Sequence, residues 1–569
     1  MMKDVRTHRK AGKLFGITIA TLAGGMAAPT VSQADDTATD FAGEVRAING
    51  SNNNRAHPDF GIPGTPLLRE ASGTHYADGI SAMARPTGPS PRAISNGLFH
   101  QEGSLPNHLG ISDYIWTYGQ FLDHDFSLTE GMSSDGRTDA FIQIPAGDPA
   151  FDPSGTGTQV MSFHRGFFDP NTGTTTPRLQ INELTSYIDG SNVYGSDDAR
   201  ANALRSHVGG LLKVTHTSVG DLAPFNDGTI GNAGSPERPD LSTTLFVAGD
   251  IRINEQPTLA AMHILFIREH NLQAGLIAAR HPSWTDEQIF QAARKIVIAE
   301  IQHITIDEFV PALFGNAAGI GPYTGYDPRV NPGISAVFST AAYRIGHTLL
   351  SPFIQRIGAD GNPTPEGPLS LRDAFFGVVP NLLSARGIEP FLRGVAVQKS
   401  QELDNKVIDD VRNFLFGAPG AGGLDLISLN FQRGRDMGLP DFNTVRADFG
   451  LPRITRFSQI TKDKALQASL EQLFGSVDNI DPFAGLFTED HKPGFNIGPT
   501  LLAVFSDQFN RVRAGDRFWY ERTLSGSELS AVRNTRLSDI IKRNTTITSI
   551  QRNVFFVPGF SQPAADPGH

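Results

Sequence analysis

Hydrophobic residues recur at helical spacing along most of the chain after residue 110. This pattern predicts four longer helices, at residues 113–125, 257–279, 285–313 and 336–350. Pro257 stands at a first helical position, and Thr285 with Gln288 forms a capping box. Convincing strand alternation is scarce, so we predict a mainly α fold with little β structure.

Long irregular segments separate the predicted helices, at residues 145–159, 218–239 and 416–423. Such loops in an ordered protein usually carry sites or pack around a cofactor. Residues 35–107 are polar and rich in Gly, Pro, Asn and Ser, which predicts an extended arm wrapped on the main body. We therefore expect a single large helical domain over residues 108–569.

The first 34 residues have the three-part layout of a secretory signal. A basic start at residues 3–13 precedes an apolar run at residues 14–28, and small residues then flank a cleavage site at Ala34. The run is shorter than the ~20 residues that span a membrane, and no later segment is long and apolar enough to do so. We expect a secreted or periplasmic protein after cleavage near Ala34.

The amino-acid composition limits which partners, covalent links and metal ligands the chain can have. The chain of 569 residues is 39% hydrophobic and 19% charged, as in folded proteins. Its net charge of −11 argues against nucleic acid as a partner. It has no cysteine, which excludes disulfides and thiolate ligation, so a metal would need His, Asp, Glu, hydroxyl or carbonyl ligands. An exported chain without cysteine favours a bacterial periplasm or exterior.

Polar residues cluster at the end of the first predicted helix. At 3.6 residues per turn, Gln120 and His124 share one face and Asp123 borders it. Asp125 is rotated by about 100° from His124 and faces elsewhere. One turn could therefore direct an amide, an imidazole and a carboxylate into one pocket. The alternative is a solvated acidic turn with a surface histidine.

Two further groups stand near apolar helices. Arg252 and Glu255 lie at the entrance of the helix that begins at Pro257, where the alternative is a local salt bridge. His347 follows Gly346, and a glycine beside a histidine lets a flat group approach closely. The alternative for His347 is an ordinary buried polar residue.

Five sequence blocks together resemble the animal-type haem peroxidases of the peroxidase–cyclooxygenase superfamily, in particular a bacterial member of the peroxidasin-like branch. They occur in the family's order, at residues 119–125, 184–195, 248–256 with 268–271, 343–348, and 429–436. The resemblance implies a helical peroxidase domain containing haem b and Ca²⁺.

The resemblance also implies a role for each matching residue. His124, Arg252 and Gln120 correspond to the distal catalytic residues, and Asp123 and Glu255 to carboxylates that are esterified to haem. His347 corresponds to the proximal iron ligand and Asn430 to its hydrogen-bond partner, while Arg344 and Arg433 match residues near the haem propionates. The calcium loop corresponds to Asp125, Thr185, Tyr187, Asp189 and Ser191.

The implied activity is oxidation of halides, thiocyanate and phenolic donors by hydrogen peroxide through an oxyferryl intermediate. Gln256 replaces a methionine that bonds a haem vinyl in one branch, so we expect bromide and iodide rather than chloride as donors. Met437 replaces a common histidine without a clear consequence. The alternatives are a fatty-acid dioxygenase of the same superfamily and a catalytically silent secreted matrix or adhesion protein.

Overall fold

Helices are the predominant regular secondary structure in this computed structural model, as the hydrophobic periodicity predicts. The structure describes residues 44–129, 140–235, 238–316 and 319–561. The helices of the first half are α1 Pro91–Leu98, α2 Tyr114–Phe126, α3 Ser191–Tyr194, α4 Asp198–Leu204, α5 Pro257–Arg280, α6 Asp286–Ile304 and α7 Val310–Phe314. The helices of the second half are α8 Ala336–Thr340, α9 Val379–Arg386, α10 Glu389–Val397, α11 Asp409–Arg412, α12 Leu426–Asp436, α13 Phe442–Asp448, α14 Lys464–Phe474, α15 Pro482–Thr488, α16 Pro499–Ala514, α17 Tyr520–Thr523, α18 Gly526–Asn534 and α19 Leu537–Asn544.

Strands are short and pair only two at a time within the described chain. The strands are β1 Thr65–Pro66, β2 Ile142–Gln143, β3 Val160–Met161, β4 Ile181–Asn182, β5 Asn232–Ser235, β6 Arg238–Asp240, β7 Phe353–Ile354 and β8 Leu369–Ser370. All four pairs are antiparallel: β1 with β4, β2 with β3, β5 with β6 and β7 with β8. The predicted mainly α fold with little β structure is confirmed.

Helices α2 and α5 form the centre of the core. Most residues of both are buried, including polar ones, so each helix is enclosed rather than amphipathic. The two helices pack against each other. Helix α5 begins at Pro257 as predicted, and the side chain of Gln256 caps it by accepting from the Thr258 N–H. No helix of the described residues combines the length and apolar content needed to cross a bilayer.

The predicted helix 285–313 is present but contains a wider turn. Thr285 and Gln288 form the expected capping box at the start of α6. A π-helical turn, Thr305–Phe309, then separates α6 from α7, and the Val310 N–H donates to the Thr305 carbonyl. Pro311 follows directly and has no N–H for an ordinary helical bond, so the wider turn fits this position.

The predicted helix 336–350 is wrong in its second half. Helix α8 ends at Thr340, and Ala341 leaves helical geometry at φ −122°. A 3₁₀-helix, Ala342–His347, follows. Because a 3₁₀-helix has three residues per turn, Arg344 and His347 lie along one edge. Apolar periodicity does not distinguish this arrangement from a continuous α-helix.

The predicted arm, described from residue 44 onward, contains α1 and β1. Arg46 makes a buried ion pair with Asp516 at 2.8 Å. The Leu68 N–H donates to the Ile334 carbonyl at 2.9 Å, so this segment contacts distant parts of the chain. The described residues from Val45 onward belong to one compact unit. The predicted signal peptide, residues 1–34, lies outside the described residues, and the domain boundaries stay a prediction.

A close backbone approach brings the segment before α5 against α3. A Cβ on Gly249 would lie 2.2 Å from the Ser191 carbonyl oxygen and 2.6 Å from the N atoms of Tyr194 and Gly195. These are main-chain atoms that cannot rotate away. Only glycine therefore allows residue 250 to reach the interior beside α3.

Gly249→Ala should destabilise the protein by about 2–3 kcal/mol, because the added methyl overlaps rigid backbone. Gly275→Ala is a matched control, since a Cβ at this exposed position in α5 meets no atom within 4 Å. The control should leave stability unchanged or raise it by up to about 1 kcal/mol. Chemical denaturation of the full chain measures both changes. Equal effects of the two substitutions would contradict the close approach.

Candidate active site

Seven of the nine residues predicted to be catalytic or haem-binding line one cavity. Its walls are otherwise mainly apolar and include Phe309 from the π-helical turn. The predicted site residues on its walls are Gln120, Asp123, His124, Arg252, Glu255, Arg344 and His347.

Helix α2 presents the predicted face to this cavity. Gln120 and His124 are one turn apart, and both line the cavity with Asp123 beside them. The Gln256 amide donates to the Gln120 side-chain oxygen at 3.2 Å, which links α2 to the start of α5. Gln256 also lines the cavity, so the residue that departs from the family's methionine belongs to the site.

A buried ion pair fixes Arg252. Its Nε and Nη2 donate to the two carboxylate oxygens of Asp250 at 2.8 and 2.9 Å. Its Nη1 donates to Asp123 at 3.2 Å, and Nη2 also reaches the Ser127 carbonyl at 3.0 Å. Burial alone would raise the pKa of Asp250, but the Arg252 guanidinium and His124 hold it below its ordinary value. Asp250 is therefore ionised and paired with Arg252.

His124 is almost completely buried, with 1% of its surface exposed. Burial and the nearby Arg252 cation hold the pKa of its imidazole well below the ordinary value, against the opposing charge of Asp250. The ring is therefore neutral at neutral pH, and a neutral imidazole can accept a proton. Its Nδ1 lies 3.3 Å from Asp250 Oδ1 and 3.4 Å from His263 Nε2.

His263 and Asp250 are site neighbours that the sequence analysis did not assign. His263 lies within α5 and is fully buried. Its position in a strongly apolar stretch, Leu259 to Ile267, was a detectable signal, because a buried polar residue needs a specific partner. Asp250 belongs to the same block as Arg252, but its contact with His124 depends on the close approach at Gly249.

Two carboxyl groups in the cavity are held closer to neutral than usual. Burial raises the pKa of Glu255 to about 7, although Arg252 and a hydrogen bond from Gln120 oppose the shift. Burial also raises the pKa of Asp123, against the charges of Arg344 and Arg252. The second oxygen of Asp123, Oδ1, is buried without a hydrogen-bond partner. Such a group is available to another ligand atom.

His347 lies at the end of the 3₁₀-helix and contacts Asn430 of α12. The Asn430 Nδ2 atom is 2.8 Å from His347 Nδ1, which leaves His347 Nε2 as the uncommitted ring nitrogen. Burial and the Arg344 cation lower the pKa of His347 to about 3, so its ring is neutral. A Cβ on Gly346 would meet no atom within 4 Å, which leaves open space beside the histidine.

The two arginines predicted near propionates are placed differently. Arg344 lines the cavity. Arg433 is not among the cavity's lining residues; it donates to Asp436 at 3.0 Å and stacks over Phe163 at 4.5 Å. The structure therefore brings Arg344, but not Arg433, to the cavity wall. Arg433 follows Asn430 by almost one helical turn, and that spacing alone did not predict that Arg433 pairs with Asp436.

The predicted calcium residues form a buried oxygen cluster next to α2. Asp189 Oδ1 accepts from the hydroxyls of Thr185 and Ser191 at 3.0 and 2.7 Å. The Oδ2 atoms of Asp125 and Asp189 are buried without partners. Burial raises the pKa of both carboxyls, and their mutual repulsion adds to the shift for Asp125. Buried carboxylate oxygens without a hydrogen-bond partner suit a cation.

Tyr187 does not direct its side chain into this oxygen cluster. Its hydroxyl donates to the Phe60 carbonyl at 2.7 Å. Within the described ranges, no group of three or more His, Asp or Glu side chains is arranged as a metal site. The cluster therefore offers two carboxylates and two hydroxyls, and main-chain oxygens would have to complete a coordination shell.

The cavity has two histidines on its walls, one beside a paired arginine and one bonded by an amide, which is the arrangement that the resemblance to the haem peroxidases implies. The sequence profile of the animal haem peroxidases matches residues 45–555. The chain belongs to this family, which confirms the resemblance of the five blocks. It is therefore an oxidoreductase of the haem peroxidase type, and haem is its expected cofactor.

Relatives of known sequence agree with the family assignment. Peroxinectin A from Dictyostelium discoideum is 37% identical, and the match covers 90% of this chain and 96% of the relative. A peroxidasin homolog from Mus musculus is 35% identical over 95% of this chain, which spans only 39% of that protein. Thyroid peroxidase from Mus musculus is 34% identical over 96% of this chain and 64% of its own length.

Solved structures show the same architecture. Peroxidase A from Dictyostelium discoideum has a TM-score of 0.81 and 36% identity, and the match covers 90% of this chain and 99% of that one. A fatty acid α-dioxygenase from Oryza sativa has a TM-score of 0.70 at 19% identity, covering 90% and 87% of the two chains. At that identity, the second likeness shows the fold alone.

Glu255→Gln should stabilise the haem-free chain in a pH-dependent way. A carboxyl whose pKa is raised in the folded state binds more protons there than in the unfolded chain, so its contribution to stability falls as pH rises. For Glu255 this window runs from 4.5 to about 7. The free energy of unfolding of Glu255→Gln should exceed that of the wild type by an amount that increases across this pH window by up to about 3 kcal/mol and stays constant at higher pH.

Chemical denaturation at several pH values between 4 and 8 measures this difference. Glu528→Gln, at an exposed position of α18, controls for the loss of one carboxyl group. An advantage of Glu255→Gln that is independent of pH, or that decreases as pH rises, would refute the raised pKa.

Proposed function

We propose that the protein is a secreted haem peroxidase that uses hydrogen peroxide to oxidise small anionic donors and phenols. Bromide, iodide and thiocyanate are the anions we favour. The observation that carries the proposal is that His124, Arg252 and His347 line the same cavity. Arg252 is ion-paired with Asp250, and Asn430 contacts His347.

The residues present fit a haem group. His347 would hold the haem iron through Nε2, Gly346 leaves space beside it, and the remaining wall is largely apolar. A neutral imidazole suits iron ligation in a chain without cysteine. Iron ligation through Nε2 leaves the proton on Nδ1, and Asn430 would then present its amide oxygen to that proton. Bound haem supplies the redox chemistry with peroxide.

The chain's own residues supply proton transfer and charge stabilisation. His124 is neutral, so it can accept a proton from one peroxide oxygen and return it to the departing oxygen. Arg252, held rigidly by Asp250, can stabilise negative charge that develops on that oxygen. Gln120 can orient water or a halide beside them, since Gln256 fixes its amide.

We propose that Asp123 and Glu255 would form ester links to haem, in which each ester C–O bond would replace a methyl C–H bond with hydrogen peroxide as the two-electron oxidant. Both line the cavity, and Asp123 Oδ1 lacks a partner in the protein. Gln256 has no sulfur with which to form a third link, and its amide is used to cap α5. This supports bromide and iodide rather than chloride as donors.

Arg344 is the cation that we propose to pair with a haem propionate, because it lines the cavity. Arg433 would need to leave Asp436 to do the same. Calcium is proposed for the cluster of Asp125, Asp189, Thr185 and Ser191, with Tyr187 contributing through its main-chain oxygen. The two partnerless carboxylate oxygens support this site.

The dioxygenase alternative requires a radical tyrosine at the position occupied here by Arg344. The nearest tyrosine, Tyr343, lines the cavity, and its hydroxyl is committed to the Gly119 carbonyl at 3.1 Å. Oxygenation of a fatty acid without added peroxide would favour this alternative. The presence of both histidines with their partners argues against a catalytically silent adhesion protein.

His124→Ala should lower the rate of peroxide-dependent oxidation of bromide and of a phenol by about 10²- to 10⁴-fold, because the proton acceptor is lost. The measurement uses haem-loaded full-length protein with matched haem content. His281→Ala, a change at an exposed histidine after α5, is the control and should retain activity. Equal oxidation of both donors by His124→Ala and the wild type would refute the role of His124.

Calcium should raise the melting temperature of the wild type, since an ion bound only by the folded state stabilises it by about 2.7 kcal/mol at 100 times its dissociation constant. Asp189→Asn should abolish the calcium response, while the exposed Asp227→Asn should retain it. Thermal unfolding with added Ca²⁺ or with a chelator measures the effect. An unchanged response in Asp189→Asn would contradict the site.

A further inference from the structure

The Asn192 carbonyl is a fixed acceptor beside the buried histidines. It accepts from the Asp250 N–H at 3.3 Å and lies 3.0 Å from His263 Nδ1. Asn192 itself is held by its side-chain amide, which donates to the Phe121 carbonyl at 2.7 Å. A carbonyl oxygen can only accept a hydrogen bond, so Nδ1 of His263 must carry a proton.

His263 presents its other nitrogen to His124. The ring packs edge-on against Phe121 with centroids 5.2 Å apart, and Nε2 lies 3.4 Å from His124 Nδ1. Burial lowers the pKa of His263 to about 4, so the ring is neutral and, with the proton on Nδ1, Nε2 holds a lone pair. A lone pair at that place needs a donor on His124 Nδ1.

The contact with Asp250 also indicates that the proton of His124 lies on Nδ1. Its Oδ1 lies 3.3 Å from His124 Nδ1, and an ionised carboxylate can only accept. The same oxygen also receives the Nε and main-chain N–H of Arg252, each at 2.8 Å. One carboxylate therefore orients both the arginine and the imidazole.

We propose that His263 and Asp250 are positioning residues that hold the proton of His124 on Nδ1. The ring's Nε2 is thereby the free base, since a neutral imidazole has one protonated nitrogen. The use of this base on peroxide rests on the proposed function, whereas the position of the proton does not. The arrangement Asn192 carbonyl, His263, His124 is a chain of hydrogen bonds in which each donor is fixed by the preceding acceptor.

The test is nitrogen-15 NMR of the full-length chain with selectively labelled histidine, alone and with diamagnetic zinc protoporphyrin. The chemical shifts report which nitrogen of His124 carries the proton, and His124→Gln identifies its signals. The wild type should show a protonated Nδ1 and an unprotonated Nε2. A proton on Nε2 in the wild type would overturn the proposal without any variant.

Substitutions at His263 and Asp250 measure how much each acceptor contributes to the proton position on His124. His263→Phe should lower the ratio of Nδ1-protonated to Nε2-protonated His124, and the addition of Asp250→Asn should bring the total change to about tenfold or more. His263→Gln should restore the wild-type ratio, because an amide can donate to Asn192 and accept from His124. An unchanged ratio in the double variant would overturn the proposal.

His270→Phe is the matched control for loss of a buried histidine. His270 lies two turns along α5, is fully buried and bonds Tyr194 and Gly210 rather than His124. Its removal should leave the His124 ratio unchanged, and a change equal to that of His263→Phe would contradict a specific role. Failure of the wild type to bind the porphyrin would count against the proposed function, while the spectrum of the chain alone would still decide this inference.

Discussion

The bidentate pair between Asp250 and Arg252 is the interaction on which the rest of the site depends. Asp250 is fully buried and the Arg252 side chain is mostly so, and a charge enclosed without its partner costs several kcal/mol. Here each charge compensates the other, and the remaining donors and acceptors bind Asp123, Ser127 and His124. The pair therefore fixes the arginine, sets the surroundings of the imidazole and joins the start of α5 to the end of α2.

This pair exists because main chains approach each other closely at Gly249. The absence of a side chain there lets residue 250 pass beside α3 and donate its N–H to the Asn192 carbonyl. Asn192 also follows the oxygen cluster of Thr185, Asp189 and Ser191. The proposed cation site and the buried histidines thus share one short stretch of backbone. A structural change at either site should therefore alter the geometry of the other.

Sequence pattern was sufficient for some of these features and not for others. The periodicity located α2 and α5 to within one residue at each end, and helical geometry placed Gln120 and His124 on one face. It did not reveal the break at Ala341, because apolar residues continue on both sides of it. The contact between His263 and His124 depends on how α5 packs against α2, and Arg433 bonds Asp436 rather than lining the cavity. The contact between the two histidines is set by packing between elements and has no local signal, whereas Arg433 and Asp436 lie three residues apart in the same helix, a spacing that is visible in the sequence.

We propose that one haem binds in this cavity, that His347 would hold its iron and that His124 would lie nearby but unligated. The most direct measurement is electron paramagnetic resonance of the ferric protein after titration with one equivalent of haem, for the wild type and His347→Ala. The account predicts a high-spin signal from haem with one histidine ligand in the wild type and its loss in the variant. A low-spin signal from two histidine ligands, or an identical high-spin signal in His347→Ala, would contradict it.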